Sequence, residues 1–399
     1  MRVFLHTLGC RLNQAEEARF AADFLAAGFE TAPDAAQADV CVLHSCAVTR
    51  RAERESLRLV RALRQARPEG RPLIVLSGCA VACNDADRLL AAGADLLIPK
   101  AKAGTLVSQV LARLQRPVPP PPAFPPPPRF HTKRALLRVQ DGCDFNCAYC
   151  IVPLTRGAPV SRPWTEVLDE ARALLDKGHR ELVVTGCNLA CYRDGSRGLP
   201  DLTDALCRLA PAGRIRLGSV EPGTVERDLA DVMRRNRNLC RFLHLPVQTG
   251  DGALLRRMGR RYDADGLRDT LAALLQGVPG LALGTDLITG LPGEDEAAFR
   301  RTRDLLQTIP FANLHVFPYS PRPGTRAAAM PDRPPAAVAR ARARQLRAIG
   351  DAQRRHFAAA CVGAPVEVLI EGRDDAGLVH GWSDTYLPCR FTDGETPIG

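Results

Sequence analysis

Three closely spaced cysteines are the most distinctive chemical feature of this sequence. Cys143, Cys147 and Cys150 lie in the run Cys-Asp-Phe-Asn-Cys-Ala-Tyr-Cys, directly after a segment with the pattern of a strand. Iron–sulfur clusters prefer thiolate ligands, and a loop of this length can hold three corners of a four-iron cluster. A zinc site would usually draw four ligands from two C-x-x-C pairs. The spacing therefore predicts a cluster with one iron open to a further ligand, which is typical of a catalytic metal.

A second set of cysteines is dispersed along the first part of the chain. Cys10, Cys46 and Cys79 each follow a segment that we predict to be a strand. Because the carboxyl ends of parallel strands meet at one edge of a sheet, we expect these three thiols to converge there. Spacing alone leaves open the alternative that they are buried cysteines at strand ends, as we interpret Cys41 and Cys83.

Composition limits the class of protein. The chain has 399 residues, 14 of them cysteine, and a net charge of +10. The length predicts two or three domains. The start of the chain lacks the pattern of a signal peptide, and no stretch reaches the ~18 apolar residues of a membrane span, so we expect a cytoplasmic protein without a membrane segment. Cysteines in that compartment favour metal binding or catalysis over disulfides. The basic charge favours a nucleic-acid partner, with an arginine-rich proteome as the alternative.

Strand and helix patterns alternate over residues 1–116, which predicts an α/β domain with a mostly parallel sheet. We predict strands at Arg2–Thr7, Val40–His44 and Pro72–Ser77, and helices at Gln14–Ala27, Thr49–Arg67 and Asp85–Ala92. Asn13 is expected to cap the first helix, with Glu16 completing a capping box. Pro117–Pro128 predicts an extended polyproline segment within a linker over residues 117–130.

The alternation resumes over residues 131–360 and predicts a parallel barrel of six strand–helix units, partial or closed. The predicted strands are Arg134–Gln140, Glu181–Thr185, Arg214–Leu217, Phe242–Leu245, Leu281–Ile288 and Ala312–Phe317. A long helix at Pro335–Ala359 leads to residues 361–399, which predict a small antiparallel β module. Polar residues gather just after the barrel strands, where chemistry occurs in parallel α/β folds.

The C-x-x-x-C-x-x-C spacing resembles that of the radical S-adenosylmethionine superfamily. This resemblance implies that Cys143, Cys147 and Cys150 are catalytic and hold a [4Fe–4S] cluster. It also implies that the open iron binds the amino and carboxylate groups of S-adenosylmethionine. An electron from the cluster would then cleave this molecule to a 5′-deoxyadenosyl radical.

Other stretches resemble the methylthiotransferases of that superfamily. The runs Thr7–Glu16 and Ser45–Thr49 resemble the amino-terminal domain of these enzymes, although His44-Ser45 stands where the family usually has Asn-Thr. Further similar stretches are Arg138–Cys143, Thr155–Gly157, Val184–Asn188, Gly218–Pro222, His244–Gly250, Met258–Tyr262, Thr285–Glu294 and His315–Thr325. The resemblance implies that Cys10, Cys46 and Cys79 hold a second [4Fe–4S] cluster, which carries the inserted sulfur.

The same resemblance implies a pocket for S-adenosylmethionine. Six residues just past predicted strands would line it: Gly186, Asn188, Ser219, Glu221, His244 and Gln248. Glycine allows close approach of the backbone, and the polar side chains can bind ribose and amino groups. Loop capping is the alternative role for each of them. We interpret Cys187 as a packing residue and Cys191 as incidental.

Three stretches indicate the acceptor. Residues 9–14, 45–49 and 315–320 resemble the subgroup that acts on N6-threonylcarbamoyladenosine in tRNA, which implies methylthiolation of carbon 2 of that base next to the anticodon. The alternatives are isopentenyladenosine in tRNA, an aspartate of a ribosomal protein, a non-catalytic RNA-binding iron–sulfur sensor and a zinc-stabilised RNA-binding protein. The expected partners are tRNA and an electron donor such as flavodoxin or ferredoxin, and we expect a monomer.

Two further features would suit an RNA partner. Arginines cluster at residues 256–261 and 340–355, where they are predicted to follow a tRNA backbone or, alternatively, to form solvated helix faces. The β module at residues 361–399 resembles the TRAM domain, an RNA-binding barrel found in these enzymes.

Overall fold

A computed structural model describes residues 1–66, 72–120, 126–130, 132–225 and 227–392. The chain forms two compact units. Unit 1 comprises Met1–His131, Cys150–Ala158 and Arg322–Gly324, and unit 2 comprises Thr132–Tyr149, Pro159–Pro321 and Thr325–Gly399. Within the described ranges, none of the helices has the length and apolar character needed to cross a membrane.

Unit 1 is a parallel sheet covered by helices, as the alternation of patterns predicts. Its elements are β1 Arg2–Thr7, α1 Arg11–Ala26, β2 Glu30–Thr31, β3 Val40–Ser45, α2 Arg50–Ala66, β4 Leu73–Gly78, α3 Cys79–Cys83, α4 Ala86–Ala91, β5 Leu96–Pro99, α5 Leu106–Arg113 and α6 Val152–Arg156. The strand order is β2-β1-β3-β4-β5, and all the pairs are parallel.

The central strands of unit 1 are buried along their whole length. Every residue of β3 and β4 is buried, which explains why both strands are nearly continuous apolar runs rather than alternating ones. On one face, Val42 and Val75 belong to a core with Phe24 of α1. On the other face, Ile74 and Leu57 of α2 belong to a second core. The sheet is therefore held rigidly, and its carboxyl edge is a fixed platform.

The structure corrects the predicted start of the first helix. α1 begins at Arg11, with Cys10 in the N-cap position, earlier than predicted. Asn13 is buried inside the first turn, where its side-chain amide donates to the carbonyl oxygens of Leu8 at 3.0 Å and Ser45 at 3.1 Å. The prediction was wrong because Asn13 satisfies backbone groups of neighbouring segments instead of capping its own helix.

The predicted polyproline segment is described only in part. Residues 117–120 and 126–130 form no helix or strand, and residues 121–125 lie outside the described residues. The end of the segment is fastened to α1, since Arg19 donates to the Pro126 carbonyl at 2.6 Å and the Arg129 amide donates to the Ala18 carbonyl at 3.1 Å. This part of the linker is thus anchored on unit 1.

Unit 2 contains the six predicted strand–helix units. Its elements are β6 Arg134–Arg138, β7 Gln140–Asp141, β8 Val160–Ser161, α7 Trp164–Asp176, β9 Glu181–Thr185, α8 Leu199–Leu209, β10 Arg214–Leu217, α9 Arg227–Arg235, β11 Phe242–His244, α10 Gly252–Arg257, α11 Ala264–Gly277, β12 Ala282–Thr289, α12 Glu296–Thr308, β13 Phe311–Pro318, α13 Arg326–Ala329, α14 Ala336–Ala360, β14 Val368–Arg373, β15 Val379–Ser383 and β16 Pro388–Phe391.

Six parallel strands form the body of unit 2. Two three-stranded sheets, β6-β9-β10 and β11-β12-β13, follow each other in chain order. Backbone bridges pair Ile215 with Leu239 and Ser219 with His244, so the two sheets continue into one another. This is a partial barrel with the strand order expected for consecutive strand–helix units.

The last three strands form the antiparallel module that the sequence predicts, in the order β14-β15-β16. The module contacts β10 of the barrel. Arg216, which is fully buried, donates to the carbonyl oxygens of Ser383 at 2.9 Å and Asp384 at 3.1 Å. Arg214 donates to the carbonyl oxygen of Trp382 at 2.8 Å. These bonds make the module part of unit 2.

Glu181 neutralises the two buried arginines. Its carboxylate accepts from Arg214 at 2.5 Å and from Arg216 at 2.8 Å. Burial would raise the pKa of Glu181, but the hydrogen bonds and charges of the two guanidinium groups outweigh burial and hold the pKa below its usual range. Tyr386 of the module stacks on Trp382 and lies under the Arg216 guanidinium.

We predict that Glu181→Gln lowers the free energy of unfolding of unit 2 by ~3–5 kcal/mol at pH 7, because two guanidinium groups would stay buried without a counter-charge. Urea unfolding followed by tryptophan fluorescence measures this, since Trp164 and Trp382 both belong to unit 2. The folded-state pKa lies below the unfolded value of about 4.3, so the contribution is complete above that pH and is lost as the pH falls through the folded-state pKa.

The difference between wild type and Glu181→Gln should therefore shrink on acidification. Asp269→Asn serves as the control, because Asp269 is an exposed carboxylate of α11 in the same unit and its replacement should leave the unfolding midpoint unchanged. Equal midpoints for wild type and Glu181→Gln at pH 7 would contradict the prediction.

Candidate functional site

The three dispersed cysteines follow adjacent strands of unit 1. Cys10 precedes α1 in the loop after β1, Cys46 directly follows β3, and Cys79 directly follows β4. β1, β3 and β4 are neighbours in the parallel sheet, so the three residues share its carboxyl edge. Burial, then the charges of Cys10 and Cys79, raise the pKa of the Cys46 thiol to about 11. The structure thus brings these residues together as the sequence analysis expects.

Two glycines permit this close approach. Gly9 has a φ of +117°, and a Cβ there would lie 2.5 Å from the Cβ of Cys46. Gly78 has a φ of +100°, and a Cβ there would lie 2.4 Å from the carbonyl oxygen of Ser45. Both positions require a residue without a side chain, which explains the Gly-Cys pairs in the sequence.

A buried polar group supports this edge. Glu16 accepts from His44 at 2.8 Å, and both carboxylate oxygens contact Arg156 at 3.1 Å. Lys100 lies 2.9 Å from the same carboxylate. Burial would raise the pKa of Glu16, but the His44 hydrogen bond and the charges of Arg156 and Lys100 outweigh it and hold the pKa far below its usual range. His44, at the position where the sequence departs from the family pattern, is therefore an integral partner of Glu16.

Hydrogen bonds of Asn13 and Arg156 connect the Glu16 carboxylate to the cysteines. Arg156 donates to the Asn13 side-chain oxygen at 2.7 Å, and the Cys10 thiol donates to the same oxygen at 3.6 Å. Burial raises the pKa of the Cys79 thiol, although the charge of Arg156 and hydrogen bonds from Thr155 and Arg156 oppose the shift. Arg156 is a residue whose role the sequence analysis missed, although it lies in the Thr155–Gly157 stretch singled out there.

The three cysteines of the C-x-x-x-C-x-x-C motif do not all belong to the same unit. Cys143 and Cys147 belong to unit 2, and Cys150 opens the segment Cys150–Ala158 of unit 1. Cys143 accepts a hydrogen bond from the Phe145 amide at 3.5 Å and from the Asn188 side chain at 3.8 Å. Donors to sulfur of this kind tune iron–sulfur sites.

Cys147 is held by a buried arginine. Arg260 donates to the Cys147 sulfur at 3.5 Å, to the Tyr149 hydroxyl at 3.1 Å and to the Pro246 carbonyl at 2.7 Å. It also forms an ion pair with Glu221 at 2.6 Å. Burial raises the pKa of Glu221 to about 7 even though Arg260 opposes the shift. The prediction that Arg260 follows RNA at the surface is wrong, because only 4% of its side chain is exposed.

The arginine cluster at residues 340–355 also contains both exposed and buried side chains. Arg342 is buried and donates to the carbonyl oxygen and the carboxylate of Glu294, both at 2.9 Å. The prediction of an RNA-facing side chain is therefore wrong at this position too. Charge runs in the sequence do not distinguish an arginine that neutralises a buried carboxylate from one that faces solvent.

The six residues predicted to line a cofactor pocket lie at the ends of strands of unit 2 or shortly after them. Asn188 lies beside Cys143, and its backbone amide donates to the side-chain oxygen of Gln140 at 2.9 Å. A Cβ on Gly186 would lie 2.9 Å from the same Gln140 side-chain oxygen. Ser219 forms a backbone bridge with His244. These residues therefore border one end of the barrel.

The side chains of the other three residues have different neighbours. Glu221 joins Cys147 through Arg260. His244 instead binds Asp286, with its Nε2 3.1 Å from the carboxylate. Gln248 has a positive φ of 73°, and its backbone amide donates to the backbone carbonyl of Asp286 at 2.8 Å. Asp286 and its second partner His315 were not identified from the sequence.

Cys191 is not incidental. Its thiol lies 3.6 Å from the Asp144 carboxylate, and its hydrogen bond to Cys143 is the main cause that lowers the pKa of Cys143 to about 6. The ligand atoms of Cys143, Asp144 and Cys191 lie within 4.8 Å of one another. Cys187 donates to Asp141 at 3.3 Å rather than only packing. The sequence signal that could have indicated these contacts is the position of Cys187 and Cys191 directly after β9.

Two protein-family models match the chain. Residues 137–306 match the model of the Radical SAM superfamily, and residues 2–98 match that of the uncharacterized protein family UPF0004. The first match contains the three-cysteine motif, and the second contains Cys10, Cys46 and Cys79.

Curated relatives extend over nearly the whole chain. The threonylcarbamoyladenosine tRNA methylthiotransferase MtaB of Bacillus subtilis (strain 168) is 30% identical, over 100% of this chain and 92% of its own length. A tRNA-2-methylthio-N(6)-dimethylallyladenosine synthase of Zymomonas mobilis is 33% identical, over 92% of this chain and 85% of its own length. The ribosomal protein uS12 methylthiotransferase RimO of an Anaeromyxobacter species (strain Fw109-5) is 36% identical, over 93% of this chain and 82% of its own length.

Solved structures share the fold. The radical S-adenosylmethionine methyltransferase TsrM of Kitasatospora setae superposes with a TM-score of 0.62 at 13% identity, over 98% of this chain and 86% of its own. The S-adenosylmethionine radical enzyme OxsB gives 0.58 at 10% identity, over 88% of this chain and 56% of its own. The two family matches and the relatives at 30–36% identity show that the chain belongs to the radical SAM methylthiotransferases, enzymes that transfer a methylthio group and use [4Fe–4S] clusters and S-adenosylmethionine.

Proposed function

We propose that this enzyme adds a methylthio group to carbon 2 of N6-threonylcarbamoyladenosine beside the anticodon of tRNA. The observation that carries the proposal is the run His315–Ser320 at the end of β13, which resembles the subgroup acting on this nucleoside. The full-length similarity to the threonylcarbamoyladenosine enzyme supports it. Relatives with other acceptors are as similar, so overall identity does not choose among them.

We assign Cys10, Cys46 and Cys79 to one [4Fe–4S] cluster. The donor set fits, since three thiols from three adjacent strand ends leave the fourth corner of a cubane for sulfur or substrate. Gly9 and Gly78 keep the space between these segments small. Residues 1–116 would then form the domain of this cluster, residues 117–130 the linker, and residues 361–399 the TRAM-like module.

We assign Cys143, Cys147 and Cys150 to the other [4Fe–4S] cluster, within a radical SAM domain at residues 131–360. Cys143, Cys147 and Cys150 would hold the cluster that supplies the electron for reductive cleavage of S-adenosylmethionine, and Cys10, Cys46 and Cys79 would hold the cluster that supplies the sulfur. The hydrogen bonds from Asn188 and Arg260 to the cysteine sulfurs support the assignment.

We further assign Gly186, Asn188, Ser219, Glu221, His244 and Gln248 to the S-adenosylmethionine pocket. Asn188 and Glu221 have the strongest support, because their contacts lead directly to Cys143 and Cys147. Glu221 is a buried carboxylate suited to an amino group or ribose hydroxyls. The buried Arg260 beside it orients this carboxylate and helps to exclude water, which a primary radical requires.

An arginine-rich cleft supports an RNA partner. It has a volume of about 780 Å³ and lies where the C-terminal β strands meet the barrel. Its lining includes the arginines Arg214, Arg234, Arg237 and Arg241 together with Glu367 and Asp384. Arg237 is exposed and has no ion-pair partner among the residues that the structure describes. Guanidinium groups in a cleft of this size suit the phosphates of a nucleic-acid backbone. A flavodoxin or ferredoxin as electron donor and a monomeric state remain predictions.

Anaerobic reconstitution with iron and sulfide, followed by incubation with reductant, S-adenosylmethionine and tRNA, tests the proposed function. We expect about eight irons per chain, as for two cubanes, and a methylthio-threonylcarbamoyladenosine peak in the nucleoside mass spectrum. A product only on isopentenyladenosine tRNA, or only on a ribosomal-protein peptide, would reassign the acceptor. Bound iron without 5′-deoxyadenosine would favour a sensor instead of an enzyme.

The Cys10→Ala variant tests the division of labour between the clusters. Cys10 is exposed, so its loss should not disturb the core. We expect about four irons per chain instead of about eight, 5′-deoxyadenosine formation retained, and methylthio transfer abolished. Cys41→Ala is the control, since Cys41 lies at the second position of β3, away from the carboxyl end of the sheet, and its loss should leave about eight irons per chain. Loss of 5′-deoxyadenosine in a folded Cys10→Ala protein would refute the assignment.

The Arg237→Ala variant tests whether the cleft binds tRNA. We expect weaker tRNA binding, with the slope of log Kd against log salt concentration reduced by about 1, as for one lost phosphate contact. Fluorescence anisotropy with labelled tRNA over a range of salt concentrations measures both. Arg172→Ala is the control, because Arg172 is an exposed arginine of α7 outside the cleft. Identical slopes for the two variants would remove the cleft from the RNA interface.

A further inference from the structure

Three polar side chains lie on neighbouring parallel strands of unit 2. His244 ends β11, Asp286 lies in β12 and His315 lies in β13. The register pairs Asp286 with His315, and His244 with Gly284. Since side chains two residues apart share a face of a sheet, Gly284 and Asp286 lie on the face that also carries both histidines.

The place of His244 depends on its small neighbour. A Cβ on Gly284 would lie 2.9 Å from Nδ1 of His244 and 2.7 Å from the Phe242 ring. Any side chain at position 284 would therefore collide with the imidazole and the Phe242 ring. The strand sequence therefore keeps an opening in which the imidazole can sit.

The carboxylate of Asp286 orients both imidazoles. Its Oδ1 lies 3.1 Å from Nε2 of His244 and 3.2 Å from Nδ1 of His315. Burial would raise the pKa of Asp286, but the two imidazole hydrogen bonds outweigh it and hold the pKa well below its usual range. Asp286 is therefore an anion whose position is fixed on both sides.

Exposure rises across this group. The side chain of His244 is 11% exposed, that of Asp286 26% and that of His315 51%. Asp286 engages Nδ1 of His315, and among the described residues no hydrogen bond reaches Nε2. An oriented imidazole nitrogen is thus available at the exposed end of the group.

An exposed aromatic ring stands beside this nitrogen. Phe317, two residues along β13, is 47% exposed, and its ring centre lies 6.4 Å from that of His315 at an angle of 63°. An aromatic face next to an oriented hydrogen-bonding group is the arrangement with which proteins receive an unstacked nucleobase.

We propose that Phe317 and His315 are specificity-determining residues that receive the acceptor base, with Phe317 stacking on the ring and His315 Nε2 bonding to the polar substituent on N6. The inference rests on the proposed function and deepens it. A threonylcarbamoyl group offers amide, hydroxyl and carboxylate partners to His315, whereas a dimethylallyl group offers none. A site that bonds to a substrate group discriminates strongly against an analogue that lacks it.

A divalent metal is the rival occupant, because two imidazoles and a carboxylate can form a metal site and the three ligand atoms lie within 4.8 Å of one another. The shared hydrogen-bond geometry and the adjacent exposed ring favour the base. Metal analysis distinguishes the two occupants. Loss of one zinc or other divalent ion per chain in His315→Ala, compared with wild type, would overturn the proposal.

The kinetic test uses the reconstituted full chain and two anticodon stem-loops, one with threonylcarbamoyladenosine and one with dimethylallyladenosine. His315→Ala should raise KM for the first stem-loop about tenfold, equivalent to ~1.4 kcal/mol or one lost hydrogen bond. 5′-Deoxyadenosine formation without RNA should fall by a smaller factor than methylthio transfer, because His315 reaches the assigned S-adenosylmethionine pocket only through Asp286 and His244. His315→Gln should recover part of the loss, and Phe317→Leu should raise KM for any stem-loop that the wild type modifies.

The matched control is His356→Ala, since His356 is an exposed histidine on α14. The proposal is overturned if His315→Ala behaves like this control, or if it loses 5′-deoxyadenosine formation in the same proportion as product. The acceptor is judged separately on the wild type. If the wild type modifies only the dimethylallyl stem-loop, the proposed function fails, whereas a modified threonylcarbamoyl stem-loop with unchanged His315→Ala kinetics defeats only this inference.

Discussion

The ion pair between Glu16 and Arg156 is the interaction on which the cysteine edge of unit 1 depends. Removing a carboxylate from water costs several kcal/mol unless its charge and lone pairs are satisfied. Here the side chains of His44, Lys100 and Arg156 meet that requirement, and each comes from a different element. One buried charge therefore fixes α1, the end of β3, the segment after β5 and the helix that follows Cys150. Asn13 extends the same network to the two cysteine loops that flank it.

Unit 2 follows the same principle with the opposite ratio of charges. A single carboxylate, Glu181, lies between two buried guanidinium groups, which also donate to the carbonyl oxygens of Trp382 and Ser383 in the C-terminal β strands. Those strands bury little apolar surface of their own, as expected for so small a module. They are stable because they complete the hydrogen bonding of barrel residues. The module is thus a structural part of the barrel as well as a candidate RNA-binding surface.

The sequence predicts the strands well because parallel strands covered on both faces are short apolar runs, as in Val40–Ser45 and Glu181–Thr185. It predicts the convergence of Cys10, Cys46 and Cys79 for the same reason, since strand order fixes where the following loops lie. It fails where a polar residue serves a distant partner. Asn13 has the residue type of a helix cap, yet its partners are carbonyl oxygens that only the folded sheet brings near. The pairing of Asp286 with His315 is likewise not predictable from the sequence, because it depends on the register of β12 against β13.

The cysteines themselves explain why each set has a buried arginine beside it. In the metal-free protein, burial raises the pKa of the Cys46 and Cys79 thiols, so both are protonated near neutral pH. A metal ligand must be the thiolate, so loading the site releases protons and introduces negative charge into a poorly hydrated space. Arg156 beside Cys79 and Arg260 beside Cys147 supply the compensating positive charge without offering a competing ligand. Lysine would be a poorer choice, because its pKa falls on burial, whereas a guanidinium stays charged. On the proposed assignment of the cysteines, these arginines would balance the charge of an anionic cluster in a dry site, although in the sequence they are indistinguishable from the many that face solvent.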